Sequence, residues 1–232
     1  MRNVNFDLLV SAARLLRPLL DELVFVGGCA TGLLITDPAA ADVRPTLDVD
    51  VIVEVTSYAK YVGFGERLRH IGFHEDTGEE APVCRWIHGR IRLDVMPLDE
   101  KVLGFSNRWY KAAVRTAVAI AIERGLRIRV VTAPYFLATK LEAFRGRGNE
   151  DFFGSHDLED LIAVVDGRPE LVDATAAAPR ALRSYVAAEV QRLLRNPRFV
   201  DALPGHLLPD MASQARLGIL IPRFEGLAAA DR

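Results

Sequence analysis

Two aspartates with one residue between them, Asp48 and Asp50, lie in the segment RPTLDVDVIVEV (44–55), whose other residues are mostly apolar and β-branched. If this segment is a strand, both side chains point to the same face and lie roughly 7 Å apart. Ionised carboxylates in such surroundings repel each other and lose hydration. A cation would offset that cost, and a divalent metal is the simplest candidate. The alternative is a pair of strand-end aspartates that reach solvent.

A third carboxylate, Asp94, lies in RIRLDVMP (90–97), where strand alternation places Arg92, Asp94 and Met96 on one face. Taken alone, a strand aspartate beside arginines is typically a salt-bridge partner. Taken with Asp48 and Asp50, it completes the three carboxylates of a two-metal phosphoryl-transfer site. We therefore expect these three residues to be catalytic and to hold Mg²⁺ or Mn²⁺.

A glycine pair, Gly27-Gly28, separates the apolar run LVFV (23–26) from a segment with helical character. Backbone N–H groups at such a strand-to-helix turn, together with the helix N-terminus, can bind an anion such as a triphosphate. The same pair also suits a tight turn that merely requires a positive φ angle. The glycines alone do not decide between these two interpretations.

The composition is that of an ordinary globular protein, with 50% hydrophobic and 26% charged residues among 232. The formal net charge of −2 excludes a protein that is basic over its whole surface, although a local basic patch would survive that average. Cys29 and Cys84 do not suggest a disulfide framework or a zinc site. No signal-peptide pattern and no apolar run of the ~20 residues that span a membrane is present. We expect a cytoplasmic protein with no membrane partner.

The periodicity of apolar residues predicts an α+β (α/β) protein with two parts. In residues 1–132, short strands and two hairpins (83–97 and 116–131) alternate with helices, and residues 36–46 form a mobile loop. From Ala133 onward only helices are predicted, at 134–146, 155–166, 178–195 and 210–218. We predict a core domain over 1–132 and a C-terminal helical domain over 133–232.

The motifs FVGGCATGLL, RPTLDVDVIVEV and RLDVMP together resemble the nucleotidyltransferase superfamily, whose signature is a GG or GS turn, a DxD or DxE strand and a third aspartate. ATKLEAFRGRGNEDFFGSHDLEDLIAVVDGR (138–168) is similar to the lysine-containing helix and the following Asp-x-x-Asp helix of AbiEii-type nucleotidyltransferases and their MenA-type toxin relatives. The resemblance spans roughly residues 22–168. It implies a nucleotidyltransferase fold, with a mixed β-sheet flanked by helices and a C-terminal helical region.

The resemblance also implies roles for individual residues. Asp48, Asp50 and Asp94 would be catalytic and would hold the metal, and five others would bind the nucleotide: Gly27, Gly28, Lys140, Asp157 and Asp160. Lys140 could instead be a solvated lysine. Asp157 could serve only the first turn of its helix, after a Ser155 N-cap, where acidic residues are favoured.

The activity that this resemblance implies is transfer of a nucleoside monophosphate from an NTP to a hydroxyl, with the 3′ end of a tRNA as one acceptor and an antitoxin protein as one partner. A second interpretation is a nucleotidyltransferase that modifies small molecules such as aminoglycosides. A third, of another class, is a catalytically silent nucleotide-binding regulatory protein. The sequence leaves open the acceptor, the preferred NTP, the antitoxin and the oligomeric state.

Overall fold

The computed structural model describes residues 4–231, which divide into two compact units. The first comprises residues 4–30 and Arg44–Thr132, and the second comprises Thr31–Val43 and residues 133–231. The helical unit thus includes a short segment from the N-terminal half. The predicted domains, 1–132 and 133–232, stay a prediction.

Seven strands of the first unit form a single mixed sheet. They are β1 (Leu23–Val26), β2 (Asp48–Val53), β3 (His74–Glu75), β4 (Arg85–His88), β5 (Ile91–Pro97), β6 (Val118–Glu123) and β7 (Leu126–Val130). Their order across the sheet is β3-β4-β5-β2-β1-β7-β6. β2 is parallel to β5 and β1 is parallel to β7, whereas the other neighbours are antiparallel. The mixed α/β fold that the sequence predicts is confirmed.

The centre of the sheet is formed by β1, β2 and β5, whose apolar residues are buried. Val49 and Val51 of β2, and Leu93 and Val95 of β5, are fully buried on the face opposite the strand aspartates. Both predicted hairpins are present as β4–β5 and β6–β7, and Gly89 and Gly125 in their turns have positive φ angles. Glycine adopts this conformation without steric cost, which favours tight hairpin turns.

Five helices begin within the first unit. They are α1 (Val4–Leu15), α2 (Gly27–Leu34), α3 (Tyr58–His70), α4 (Glu100–Leu103) and α5 (Tyr110–Thr116), with a 3₁₀ helix at Arg17–Glu22. α1 packs against β2, β5 and β7. α2 follows β1 without an intervening residue, as the glycine pair predicts. α3 begins after Ser57, whose hydroxyl accepts a hydrogen bond from the Lys60 N–H and thereby caps the helix.

The remaining helices belong to the second unit. They are α6 (Ala133–Arg147), α7 (His156–Gly167), α8 (Leu171–Ala176), α9 (Arg180–Leu194), α10 (Pro197–Ala202), α11 (Met211–Ala215) and α12 (Leu217–Ala228), with a 3₁₀ helix at Leu203–His206. The expected helix over 210–218 is instead two helices, and the second continues to Ala228. Pro222 lies inside α12, where proline removes a backbone donor. Burial of Leu220, Phe224 and Leu227 on one face stabilises the helix despite this loss.

The segment that the sequence predicts as a mobile loop is anchored at its start, within the second unit. The N–H groups of Thr36 and Asp37 both donate to the Gly167 carbonyl at the end of α7. Arg216 donates to the carboxylates of Asp37, at 2.7 Å, and of Asp166. These contacts also satisfy the C-terminus of α7, whose last carbonyls have no partner within the helix. Of the helices between residues 4 and 231, none combines the length and apolar character that a membrane crossing requires.

Candidate active site

The three predicted catalytic aspartates lie on neighbouring central strands of the first unit. Asp50 of β2 is in register with Asp94 of β5 and with Val26 of β1, and Asp48 is in register with Arg92. Register partners on adjacent strands point to the same face, and so do residues two apart on one strand. Asp48, Asp50 and Asp94 therefore share one face of the sheet, as the sequence predicts.

Arg85, at the start of β4, binds two of these carboxylates and was missed by the sequence analysis. Its Nε donates to Asp94 Oδ1 at 2.8 Å, and its Nη2 donates to Asp94 Oδ2 at 2.7 Å and to Asp48 Oδ2 at 3.0 Å. The signal was available: if Gly89-Arg90 forms the hairpin turn, His88 faces Ile91 and Arg85 must face Asp94. The salt bridge expected for a lone strand aspartate thus exists, although it comes from β4 rather than from Arg92 on the same strand.

The charges of this cluster help to shift the pKa values of two neighbouring groups, whose protonation at ordinary pH does not change. The hydrogen bond to Asp94 is the main cause that raises the pKa of Arg85 above its ordinary value, so this side chain stays a cation. Burial, followed by the negative charges of Asp94 and Asp50, raises the pKa of the Cys84 thiol to about 12. The thiol therefore stays neutral at ordinary pH.

A buried amide holds the chain that leads into β2. The side chain of Asn5, on α1, donates to the Arg44 carbonyl at 2.7 Å and accepts from the Thr46 N–H at 2.9 Å. The Thr46 hydroxyl in turn donates to Asp48 Oδ1 at 2.8 Å. Asp48 is thus oriented by Thr46 on one oxygen and by Arg85 on the other. Asn5 and Thr46 were also missed, because they are recognised only through contacts between distant parts of the sequence.

Gly27 contacts the side chain of Asp50. A β-carbon at position 27 would lie 1.8 Å from Asp50 Oδ2, and the φ angle of Gly27 is +68°. Both observations require glycine here. Gly28, next in the first turn of α2, is buried. The requirement for glycine at position 27 therefore follows from the turn and from the approach to Asp50, whereas phosphate binding by the pair stays a prediction.

The chemistry of this cluster suits a hard divalent cation, which prefers carboxylate oxygens. Nevertheless, among the described residues no three or more His, Cys, Asp or Glu side chains lie close enough together to hold a metal ion. The cation that lies between Asp48 and Asp94 is the Arg85 guanidinium. Asp48, Asp50 and Asp94 thus fit a metal by ligand type, and a metal shared by Asp48 and Asp94 would have to replace this guanidinium.

The other three predicted site residues lie together in the second unit. Lys140 of α6 donates from Nζ to Asp157 Oδ1 at 3.1 Å and to Asp160 Oδ2 at 2.6 Å, both on α7. All three are buried, so the interpretation of Lys140 as a solvated lysine is wrong. Burial acts to raise the pKa of Asp157, but Arg147 and Lys140 together outweigh it, and the pKa is lowered. Ser155 does cap α7, as predicted, by accepting a hydrogen bond from the Leu158 N–H.

The predicted site residues therefore form two groups. Gly27, Gly28, Asp48, Asp50 and Asp94 belong to the first unit, and Lys140, Asp157 and Asp160 belong to the second. Within each unit, the residues that the sequence analysis associated with one another are close together.

Comparison with solved structures identifies this fold. An antigenic nucleotidyltransferase-like protein from Paracoccidioides brasiliensis matches with a TM-score of 0.52 and 19% identity, over 86% of this chain and 92% of that chain. JHP933 from Helicobacter pylori matches with a TM-score of 0.43 and 12% identity, over 96% of this chain and 89% of that chain. Comparison with family models and with curated protein sequences found no match. The match to the Paracoccidioides brasiliensis protein shows that the chain has a nucleotidyltransferase-like fold.

Proposed function

We propose that the protein is a metal-dependent nucleotidyltransferase, which moves a nucleoside monophosphate from an NTP to a hydroxyl acceptor. The observation that carries this proposal is the placement of Asp48, Asp50 and Asp94 on one face of β2 and β5. The nucleotidyltransferase-like fold supports it independently of those residues. A catalytically silent relative would have no use for three carboxylates whose repulsion must be compensated.

In the proposed reaction, the acceptor hydroxyl forms a bond to the α-phosphorus, the α–β phosphoanhydride bond breaks, and pyrophosphate leaves. Mg²⁺ or Mn²⁺ bound by Asp48, Asp50 and Asp94 would supply the charge that polarises the phosphoryl group and neutralises pyrophosphate. Thr46 orients Asp48, and the backbone of Gly27 fixes one side of Asp50. The carboxylate of Asp94 can orient the acceptor hydroxyl, whose proton passes to this carboxylate or to water.

Nucleotide binding is assigned to Gly27, Gly28 and Lys140, with Asp157 and Asp160 in support. The N–H groups at the start of α2 can bind phosphate oxygens. Lys140 would act as a point charge toward the phosphates. Asp157 and Asp160 each accept a hydrogen bond from its ammonium, which favours an orienting role for the two aspartates over direct contact with the nucleotide.

For the acceptor we propose RNA, in particular the 3′ end of tRNA, as in the AbiEii- and MenA-type toxins that residues 138–168 resemble. An antitoxin partner and a cytoplasmic location, where NTPs and tRNA are present, belong to the same proposal. To test this proposal, purified protein is incubated with each α-³²P-labelled NTP, Mg²⁺ and either total RNA or a panel of aminoglycosides. Label on a tRNA-sized band with a single NTP is expected.

Asp50→Asn is the control in this experiment, because it removes one proposed metal ligand while circular dichroism verifies the fold. Label on an aminoglycoside instead would replace the RNA proposal by the small-molecule alternative. Absence of transfer to any acceptor from a folded protein that binds no NTP would contradict the enzyme proposal itself.

A further inference from the structure

Arg85 occupies the space between two carboxylates of the proposed metal site. Its guanidinium donates from Nε and Nη2 to the two oxygens of Asp94, and Nη2 also donates to Asp48. The side chains of Arg85 and Asp94 are only 16% and 11% exposed, whereas that of Asp48 is 32% exposed. The contact is thus largely shielded from solvent on the Asp94 side and open on the Asp48 side.

The distances between Arg85 and the two carboxylates are those of hydrogen-bonded guanidinium–carboxylate pairs. The three N–O distances are 2.7–3.0 Å. Mg²⁺ holds its oxygen ligands at about 2.0–2.1 Å, so oxygens that share this ion must lie closer together than those that share a planar guanidinium. Within residues 4–231 no set of three or more His, Cys, Asp or Glu side chains is placed to hold a metal. Metal binding to Asp48 and Asp94 together would therefore require this pair to rearrange.

The charges point in the same direction. Two guanidinium groups, those of Arg85 and of the exposed Arg92, share this face with three carboxylates, and the net negative charge that remains attracts a divalent cation. The Arg85 guanidinium and a divalent ion repel each other at short range, so both cannot remain on Asp94 at low cost. A guanidinium is also more weakly hydrated than an ammonium, and it can return to a carboxylate pair without a large desolvation cost.

We propose that Arg85 is an exchangeable counter-ion of this site, which pairs Asp48 and Asp94 in the metal-free protein and leaves Asp94 when a divalent metal binds. This inference rests on the proposed function, since it concerns the same metal site. Metal affinity is then set by competition with the guanidinium. The opposite role is also physically available: an arginine that stays on a ligating carboxylate orients it, and its removal weakens metal binding. The two roles predict effects of opposite sign.

The first test is a Mn²⁺ titration of the full chain, with free Mn²⁺ measured by electron paramagnetic resonance. Arg85→Gln should bind Mn²⁺ about tenfold more tightly than the wild-type protein, because the competing charge is gone. Arg90→Gln, in the exposed β4–β5 turn, removes the same charge from the surface and should change the dissociation constant by less than about twofold. Equal or weaker binding by Arg85→Gln would overturn the inference.

The proposed function and the inference fail in different ways in this titration. If neither the wild-type protein nor Arg85→Gln binds Mn²⁺, the metal site of the proposed function is absent. If the wild-type protein binds and Arg85→Gln gains nothing, only the exchange is refuted. Should Arg85→Gln fail to fold without metal, Arg85→Lys replaces it, because lysine keeps the charge but cannot form the bidentate contact with Asp94. Arg85→Lys should then bind Mn²⁺ more tightly than the wild-type protein, though by less than the roughly tenfold gain expected of Arg85→Gln.

The second test observes the displacement itself without an activity measurement. In protein labelled with ¹⁵N-arginine, the Nε–H signal of Arg85 is assigned by its absence in Arg85→Lys. In metal-free protein this N–H donates to Asp94 and should exchange slowly with solvent. Saturating Mg²⁺ should move the signal and accelerate its exchange. A signal that keeps its position and its protection in saturated protein would contradict the exchange.

Discussion

The side chain of Asp50 lies so close to Gly27 that no side chain fits at position 27. A β-carbon at position 27 would lie 1.8 Å from Asp50 Oδ2 and 2.5 Å from its Cγ. The contact joins the turn at the end of β1 to the second aspartate of β2. A substitution at Gly27 would have two costs, the positive φ angle and the collision with Asp50. A second glycine with a similar φ angle and no close neighbour serves to separate them.

Gly27→Ala should therefore lower the free energy of unfolding by clearly more than the about 1–2 kcal/mol that a left-handed conformation costs an L residue. Gly125→Ala is the matched control, since its φ angle of +74° is close to the +68° of Gly27 but nothing lies within 4 Å of its added β-carbon. Urea unfolding of both variants measures the difference. Equal losses would mean that Asp50 moves away freely, and that Gly27 does not fix its position.

Asp94 and Asp48 should differ in what their charge contributes to the metal-free protein. Asp94→Asn places an amide against a bidentate guanidinium and should cost about 1–3 kcal/mol of unfolding free energy. Asp48→Asn loses a single contact to Arg85 at a more exposed side chain and should cost less than about 1 kcal/mol. Thermal unfolding in EDTA tests this order, and the reverse order would show that Arg85 pairs mainly with Asp48.

Both substitutions should reduce nucleotide transfer to background while the variants stay folded, because each removes a proposed metal ligand. Circular dichroism verifies the fold, and label transfer from α-³²P NTP measures the activity. Wild-type activity in either folded variant would remove that residue from the catalytic set. Asp48→Asn would lose the attraction to Arg85 together with the repulsion between carboxylates, so we expect no gain in stability from it.

The sequence predicted the strands and their aspartates because alternation of apolar residues and the hairpin glycines are local signals. Predicting the contact between Arg85 and Asp94 requires one further step, the register of the β4–β5 hairpin. The burial of Lys140 was harder to predict. Residues around most of the circumference of α6 are buried, so periodicity does not show which side faces solvent. Its carboxylate partners lie 17 and 20 residues away on another helix. The extension of α12 past Pro222 depends on packing against other helices, which no local pattern shows.

The lowered pKa of Asp157 predicts a specific loss of stability in acid. Its folded-state pKa lies below the ordinary 3.8 because Arg147 and Lys140 outweigh the effect of burial. The unfolded chain therefore binds this proton first, so the stabilisation is complete above the ordinary pKa and is lost as pH falls through the lowered value. Asp157→Asn should flatten the fall of unfolding free energy between about pH 5 and pH 2. Asp201→Asn, at an exposed position, controls for the loss of one carboxylate. An unchanged slope in Asp157→Asn would contradict a lowered pKa of Asp157 in the folded protein.

Lys140 tests whether this buried cluster is part of the structure, of nucleotide binding, or of both. Its side chain is 10% exposed and bonded to Asp157 and Asp160, so Lys140→Met takes a cation from two buried carboxylates. Such a loss costs about 3 kcal/mol or more, against the small effect expected of an exposed lysine. Arg147→Met is the matched control, because it also removes hydrogen bonds to Asp157, from Nε and Nη2, but its side chain is 74% exposed. That variant should lose less than about 1 kcal/mol.

The consequence for nucleotide binding follows from the same comparison. Calorimetric NTP affinity must be measured at a temperature where Lys140→Met is shown to be folded, because a variant this destabilised loses binding simply by unfolding. Under that condition, weakened NTP binding in Lys140→Met with normal binding in Arg147→Met would support contact between the ammonium and phosphate. Normal affinity in folded Lys140→Met would leave Lys140, Asp157 and Asp160 with a structural role only. The proposed likeness to AbiEii- and MenA-type enzymes would then lose its support from the helical half, while the proposal for Asp48, Asp50 and Asp94 would stand.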